Sequence, residues 1–271
     1  MTKWFFALSE ASLGHADHDW ENLIRAAVAS ARANTNLEPH FLYDGAPNAF
    51  TVELKSLGVT VVQHQVSYLG NIVERSHMIG KPLHPMHQAI IAGAYLRTEI
   101  PRLDIPDEFV LYTDCDVIFE SDPQIDRFRP AFFACAPQFD PNNFQEINSG
   151  VMVMNVPGMR QEFANFYHYI VNHYETFGAH DQDALREYYN GRFDPLPCEL
   201  NWKPYWGFND AATIVHFHGP KPGAIRHLIE QPDYPVPEVW RTLYESHPDA
   251  YREYLRRWDT MLDKAKMALP S

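Results

Sequence analysis

Cysteine is scarce in this chain, and none of its cysteines is spaced for metal binding. Only Cys115, Cys135 and Cys198 occur among 271 residues, which is too few for a disulfide framework and includes no C-x-x-C pair. Long apolar runs are also missing. The run near the N-terminus breaks at Ser9 and Glu10, so it is too short for a signal peptide or a membrane span. We therefore expect a cytoplasmic protein without a transmembrane segment.

An excess of basic residues is missing as well. The chain has 22 lysines and arginines against 35 aspartates and glutamates, for a formal net charge of -13. This balance argues against a nucleic-acid partner, because binding a phosphate backbone needs a basic face. A small molecule that carries phosphate remains compatible, since a metal ion or a few placed cations can supply positive charge locally.

The apolar residues that are present predict an α/β protein. Hydrophobic residues make up 45% of the chain, enough to bury a full core at this length. Short apolar runs over 3–8, 39–45 and 59–66 predict strands, and helical spacing over 19–33 predicts a helix between the first two. This alternation is typical of a parallel sheet with crossover helices. Further strands are predicted over 131–137, 149–156 and 213–219, and helices over 87–99, over 162–174 and from 180.

Two segments differ from this alternation. Residues 68–86 show little periodicity and contain glycine, proline and histidine, so we expect a loop that forms a mobile flap or the rim of the acceptor site. After residue 226 the pattern is helical and its charges are nearly balanced, which predicts a structural role. The chain is accordingly divided into a catalytic domain over 1–225 and a helical extension over 226–271 packed on it. Peripheral membrane contact stays open for this extension, although it lacks a polybasic cluster.

The stretch "FVLYTDCDVIFESDP" places two carboxylates one residue apart after an apolar run. On an extended backbone Asp114 and Asp116 project to one face, where like charges destabilise each other unless a cation lies between them. Three interpretations compete: a solvated strand end, a phosphatase site and a metal clamp for a nucleotide diphosphate. In the second, "DCDV" resembles the signature of haloacid-dehalogenase-like phosphatases, with Asp114 as nucleophile and Asp116 as general acid.

The context of the motif favours the metal clamp. The phosphatase signature normally opens its domain, whereas here more than a hundred residues of α/β pattern precede it. Ligands of open α/β sheets bind beyond the carboxyl ends of the strands, which is where this motif lies. A clamp also requires a further metal ligand and a cation for the diphosphate. The later segment "VHFHGPKP" contains candidates for both roles.

Four motifs in order resemble the family-eight glycosyltransferases, which include bacterial galactosyltransferases and the glycogenin type. They are "LYTDCDVIF", "INSGVMVMN", "HDQDAL" and "HFHGPKP", and the resemblance covers roughly residues 3–221. It implies the GT-A fold, a Rossmann-like α/β domain with a mixed, mainly parallel sheet flanked by helices. It also implies metal-dependent transfer of a hexose from a UDP-sugar to a hydroxyl acceptor with retention of anomeric configuration. The implied acceptor is a bacterial surface glycan or another glycoconjugate.

The resemblance assigns the metal ligands. Asp114 and Asp116 would hold Mn²⁺, or else Mg²⁺, against the diphosphate, and His216 would be the third protein ligand. A mixed carboxylate and imidazole set suits Mn²⁺ better than Mg²⁺. His218 is expected to line the site without binding the metal.

The resemblance also assigns the donor-binding and catalytic residues. Asp181 and Gln182 match the D-Q pair beside the anomeric carbon, where an amide is a poor nucleophile, so a front-side attack by the acceptor hydroxyl is favoured. The lysine loop departs from the family pattern, with one residue fewer before Lys221 and Gly223 in place of tryptophan. A catalytically silent nucleotide-sugar binder therefore remains an alternative. The implied donor-binding residues are Ser9, Arg97, Asn148, Ser149, Gly150, Gly219 and Lys221.

Overall fold

A computed structural model describes residues 1–14, 18–231 and 233–268 of the protein. Within them, seven strands form the central sheet in the order β3-β2-β1-β4-β7-β6-β8, and β5 pairs with β9 in a second, two-stranded sheet. The strands are β1 (Lys3–Ser9), β2 (Glu38–Asp44), β3 (Thr60–Gln63), β4 (Phe109–Thr113), β5 (Val117–Phe119), β6 (Phe133–Pro137), β7 (Ile147–Asn155), β8 (Asp194–Pro195) and β9 (Ile214–His216).

The central sheet is mixed and mainly parallel, which confirms the predicted fold class. β1 pairs in parallel with both β2 and β4, and β3 extends this half in parallel with β2. β7 runs antiparallel between β4 and β6. The strands β1, β4 and β7 are buried along almost their whole length, as expected for apolar runs covered on both faces of a sheet.

Helices cover both faces of the sheet. α2 begins where the sequence predicts, because the Asp19 carboxylate accepts the backbone N–H of Asn22 at 3.2 Å and caps the first turn. The helices are α1 (Glu10–Leu13), α2 (Trp20–Asn34), α3 (Ala49–Ser56), α4 (Leu69–Met78), α5 (Pro85–Tyr95), α6 (Val156–His173), α7 (His180–Tyr189), α8 (Pro222–Glu230), α9 (Glu238–Ser246) and α10 (Pro248–Met267).

The prediction of a loop over 68–86 is wrong for most of this segment. Residues 69–78 form α4, which buries Ile72 and Ser76 and presents its other residues to solvent or to the edge of the core. The polar residues and Gly70 mask the helical periodicity, because only a narrow stripe of this short helix faces the core. Packing of that stripe against α5 and α6 therefore stabilises a helix that propensity alone does not indicate.

The C-terminal helices pack on the rest of the chain through a third apolar cluster. Tyr251, Tyr254 and Trp258 of α10 are buried there with Leu23 of α2 and Phe217, which follows β9. The division at residue 226 stays a prediction, and residues 232 and 269–271 of the predicted extension lie outside the described residues. None of the helices described is both long and apolar enough to cross a membrane.

The chain passes from the central sheet to the second sheet through the acidic motif. β4 ends at Thr113 and β5 begins at Val117, so Asp114 and Asp116 lie on the connection between the two sheets and not on one continuous strand. Cys115 is buried between them, and its thiol contacts the Ala7 carbonyl at 3.5 Å.

Candidate functional site

Three residues predicted as metal ligands meet at this connection. Asp114, Asp116 and His216 each offer one ligand atom, and these atoms all lie within 4.8 Å of one another. The His216 Nε2 atom is 3.4 Å from Asp116 Oδ1 and 3.7 Å from Asp114 Oδ2. Two carboxylate oxygens and an imidazole nitrogen form a donor set that suits a divalent cation. The residues present therefore fit a metal ion.

Strand pairing brings His216 to the acidic motif across a hundred residues of sequence. Val117 of β5 lies opposite His216 of β9 in an antiparallel register, and the Phe217 N–H donates to the Asp116 carbonyl at 2.9 Å. The His216 N–H donates to the Trp202 carbonyl at 2.8 Å, so the ligand is held from both sides of its strand. The position of the imidazole thus follows from the second sheet.

Gly150 allows the backbone of β7 to approach the metal-binding group closely. A Cβ atom at this position would lie 2.2 Å from His216 Cε1 and 2.8 Å from Asp114 Oδ2, well inside normal van der Waals separation. The Gly150 carbonyl also accepts the Asp114 N–H at 2.7 Å. Only glycine fits here without displacing a predicted ligand.

Arg97 connects the metal-binding group to the predicted D-Q pair. Its guanidinium donates to Asp114 Oδ1 at 2.8 Å, and its Nε lies 3.0 Å from Asp181 Oδ2. It also donates to the Ser149 carbonyl at 2.7 Å and lies 4.5 Å from the ring centroid of Tyr112. Arg97 therefore neutralises two buried or half-buried acids at once, a structural role beyond the donor contact predicted for it.

The two segments predicted to face the donor sugar are in direct contact. Gln182 Oε1 accepts two hydrogen bonds, one from the Ser149 N–H and one from Asn148 Nδ2, both at 3.1 Å. The Ser149 hydroxyl donates to Asp181 Oδ2 at 3.3 Å. His180 begins α7 with a positive φ of 43°, so the next two residues enter the first turn of the helix beside β7. The N-S-G and D-Q motifs thus form one unit.

Burial and neighbouring positive charges set the pKa values of Asp181 and Asp116. Burial raises the pKa of Asp181 to about 6, although Arg97 favours its ionised form. Burial would also raise the pKa of Asp116, but Lys221 and His216 outweigh it and hold this pKa well below its usual value. The Lys221 ammonium donates to the Asp116 carboxylate and to the Phe217 carbonyl. Lys221 is therefore beside the metal-binding group despite its shortened loop.

The raised pKa of Asp181 predicts a pH-dependent cost to folding. Since the folded state favours the protonated carboxyl group, ionisation removes stability as the pH rises from the unfolded value, near 4, through about 6. Relative to Asp181→Asn, the metal-free protein should lose roughly 2 kcal/mol of unfolding free energy between pH 4.5 and 7.5. Urea denaturation in the presence of a chelator measures this difference, and parallel pH curves for the two proteins would contradict the assignment.

A cavity of about 230 Å³ lies beside these residues. Asp114, Asp116 and Lys221 form one side of it, and Ser12 and Trp20 line it where β1 ends. Ser9 caps α1, since its hydroxyl accepts the Ser12 N–H at 3.2 Å, and its predicted contact with the donor stays a prediction. His218 lines the cavity and does not belong to the metal-binding group.

The backbone conformation at position 219 requires glycine. Its φ is +97°, a region that favours glycine, and an added Cβ would lie 2.7 Å from Leu243 Cδ1 of α9. The predicted approach of this residue to a diphosphate stays a prediction.

Several site residues were not predicted from the sequence. Tyr112 donates to Asp114 Oδ1 at 3.0 Å, and its position two residues before Asp114, on the same side of a strand, could have indicated it. Asn201 and Gln138 contact His216 and Gln182 respectively. Both lie in irregular segments, where no periodicity or motif distinguishes them.

No protein-family model and no curated protein matches the chain. Solved structures do match it. The apo form of the glycosyltransferase GlyE from Streptococcus pneumoniae TIGR4 is 16% identical with a TM-score of 0.60, over 99% of this chain and 64% of GlyE. The galactosyltransferase LgtC in complex with donor and acceptor sugar analogues is 17% identical with a TM-score of 0.59, over 89% and 99%. Mouse xyloside xylosyltransferase 1 is 15% identical with a TM-score of 0.56, over 80% and 97%.

These matches and the sheet topology define the class of protein. The chain has the GT-A fold of glycosyltransferases, as predicted. The presence of LgtC among the matches is consistent with the resemblance to family-eight glycosyltransferases. The chain spans about two thirds of the length of GlyE, at 64%.

Proposed function

We propose that the protein is a metal-dependent retaining glycosyltransferase that moves a hexose from a nucleotide diphosphate sugar, a UDP-sugar, to a hydroxyl acceptor. The observation that carries the proposal is the convergence of Asp114, Asp116 and His216 within 4.8 Å at the sheet edge of a GT-A fold. The acceptor is a bacterial surface glycan or another glycoconjugate, and the metal is Mn²⁺. The solved relatives support the class, because all three are named as glycosyltransferases.

The residues around the cavity divide into two roles. Asp114, Asp116 and His216 would hold the cation, which would supply positive charge against the departing diphosphate. Lys221 contributes a second positive charge on the same side, next to Asp116. Arg97, Ser149 and the D-Q pair lie on the other side of Asp114, where Asp181 would accept hydroxyl groups of the sugar. In this proposal the sugar would lie between the D-Q pair and the diphosphate-binding cations.

The contacts of Gln182 support a front-side mechanism. Both lone pairs of its Oε1 atom are engaged, one by the Ser149 N–H and one by the Asn148 amide, so this oxygen is a weak nucleophile. The acceptor hydroxyl then attacks the anomeric carbon on the face from which the diphosphate leaves. The new glycosidic bond forms as the bond to the diphosphate oxygen breaks, and the hydroxyl proton passes to that oxygen.

The phosphatase alternative is disfavoured by the fold. The strand that precedes Asp114 is the fourth of the chain and pairs antiparallel with β7 in a GT-A sheet. Asp114 Oδ1 is bound by Arg97 and by the Tyr112 hydroxyl, so this carboxylate is restrained as a ligand would be. The silent-binder alternative rests on the altered lysine loop, which nevertheless brings Lys221 to Asp116.

A single assay separates the three functions. The protein is incubated with a panel of UDP-sugars and Mn²⁺ without acceptor, and free UDP is measured beside inorganic phosphate released from a phosphomonoester. We expect slow UDP release from one or a few donors, loss of release with a chelator, and recovery on adding Mn²⁺. Phosphate release without UDP release would instead indicate the hydrolase. Donor binding without any turnover, even after glycan acceptors are added, would indicate the silent form.

A further inference from the structure

We propose that Asn201 is a positioning residue that fixes the tautomer of His216 and joins it to Gln182 through a chain of side-chain amides. Asn201 is fully buried and His216 is 1% exposed, so water does not compete for their hydrogen bonds. The proposal deepens the proposed function, since it concerns the same metal-binding group. Its central claim, the protonation of one imidazole nitrogen, can be measured without metal or donor.

Two backbone N–H groups set the direction of the chain. A backbone N–H can only donate, so the side-chain atom that it contacts must be an oxygen. The Gly150 N–H contacts Asn148 at 3.3 Å, which identifies Asn148 Oδ1. The Ser149 N–H contacts Gln182 at 3.1 Å, which identifies Gln182 Oε1. The Asn148 amide nitrogen therefore donates to Gln182 Oε1, and neither amide can be reversed without placing like groups together.

The orientation of Asn201 follows from that of Asn148. Because Asn148 Oδ1 is an acceptor, the Asn201 atom 3.0 Å from it must be the amide nitrogen, Nδ2. The other end of Asn201 is then its oxygen, which lies 3.0 Å from His216 Nδ1. An amide oxygen cannot donate, so His216 Nδ1 carries the proton. The nitrogen that faces Asp114 and Asp116 is then Nε2, the one that remains available to bind a metal ion.

The backbone around Asn201 is held independently of its side chain. The next residue, Trp202, donates its N–H to the Ile214 carbonyl at 2.9 Å and accepts the His216 N–H at 2.8 Å. This double contact places Asn201 beside β9 whatever its side chain is. At the far end of the chain, Gln182 Nε2 donates to Gln138 Oε1 at 2.8 Å. One continuous set of hydrogen bonds thus runs from the metal ligand to the predicted catalytic amide.

The tautomer of His216 in the metal-free protein tests the proposal directly. Long-range ¹H–¹⁵N NMR distinguishes protonated from unprotonated ring nitrogens, and the His216 signals are identified by their loss in His216→Gln. We expect a proton on Nδ1 throughout the pH range in which the protein is folded. In Asn201→Ala we expect Nδ1 to lose this proton in part of the population. A wild-type protein whose Nδ1 carries no proton would overturn the proposal, even if the variant failed to fold.

Metal affinity supplies the second readout. Titration of Mn²⁺, followed by the electron paramagnetic resonance signal of the free ion, should show binding weakened about tenfold to a hundredfold in Asn201→Ala. Asn201→Asp is isosteric, and its carboxylate still accepts a hydrogen bond from His216 Nδ1, so its Mn²⁺ affinity should stay within about threefold of that of the wild type. Its kcat should fall, because the amide nitrogen that donates to Asn148 Oδ1 is lost. Asn34→Ala is the control, since it removes a side-chain amide whose hydrogen bond, to the Phe119 carbonyl, does not involve the metal-binding group.

The outcomes separate this proposal from the proposed function. Wild-type Mn²⁺ affinity in folded Asn201→Ala, or an equal loss in Asn34→Ala, would contradict the positioning role. If the wild-type protein bound no metal but carried the proton on Nδ1, the amide chain would stand and the metal-dependent function would fail. If it bound metal but carried no proton on Nδ1 in the metal-free form, the metal-dependent function would stand and the amide chain would fail.

Discussion

Gly150→Ala is expected to abolish metal-dependent transfer while the protein stays folded. The added methyl group would lie 2.2 Å from the His216 ring and 2.8 Å from the Asp114 carboxylate, so the ring must move by about an ångström or more and the carboxylate by a smaller distance. A misplacement of this size costs about a hundredfold in rate, and loss of the ion would cost more. The glycine has no positive φ that alanine would strain, so the effect is confined to the space beside the ligands.

The measurement for Gly150→Ala combines metal titration with donor turnover. We expect Mn²⁺ affinity to fall by at least tenfold and UDP release to fall to the level of the chelator-treated protein. Gly70→Ala is the matched control, because a Cβ at that position in α4 meets nothing within 4 Å. Its activity should equal that of the wild type. Its free energy of unfolding should rise by about 0.5–1 kcal/mol, because alanine favours the helix over glycine. Wild-type metal affinity in folded Gly150→Ala would show that the ligands do not bind where we propose.

Asp116→Ala is expected to have the second of the two largest effects. Asp116 is 3% exposed, and its two oxygens face His216 and Lys221, so its removal takes away a ligand and leaves a lysine without its acid. Loss of one such electrostatic group costs about 2.7–4 kcal/mol in a pre-organised site. The rate of transfer should therefore fall at least a hundredfold, and adding a chelator to the variant should change little further.

The comparison for Asp116→Ala is made with and without chelator. Asp126→Ala is the control, because this exposed aspartate makes one long contact with Thr2, at 3.4 Å, and lies away from the cavity. It should keep its full chelator-sensitive activity. Full activity of the wild-type protein with chelator present would reject the metal clamp, and retained transfer in Asp116→Ala would remove Asp116 from it.

Much of the site was predictable because its residues lie in short motifs at strand ends. The apolar run before Asp114 and the order of the four motifs indicated the fold and the metal ligands. The structure brings the ligands together, although through a bend between two sheets and not through one extended strand. The helix α4 was missed because a narrow buried stripe around Ile72 carries too little periodicity among polar residues.

Other parts of the site depend on contacts between distant segments. Nothing near Arg97 in the sequence indicates that it bridges Asp114 and Asp181. The role of Gly150 was predicted as a donor contact, whereas its surroundings show a steric reason for glycine. Asn201 lies in a short 3₁₀ turn without a motif, so only the packing of that turn against β9 indicates its contact with the ligand.

The sequence by itself determined the alternation of strands and helices and the identity of the groups that can bind a cation. Both follow from local properties, the periodicity of apolar residues and the chemistry of each side chain. Only the tertiary structure decided which glycine must lack a side chain, which arginine joins two acids and which nitrogen of His216 carries its proton. These depend on distances of a few ångströms between segments far apart in the chain, and such distances exist only once the two sheets have packed.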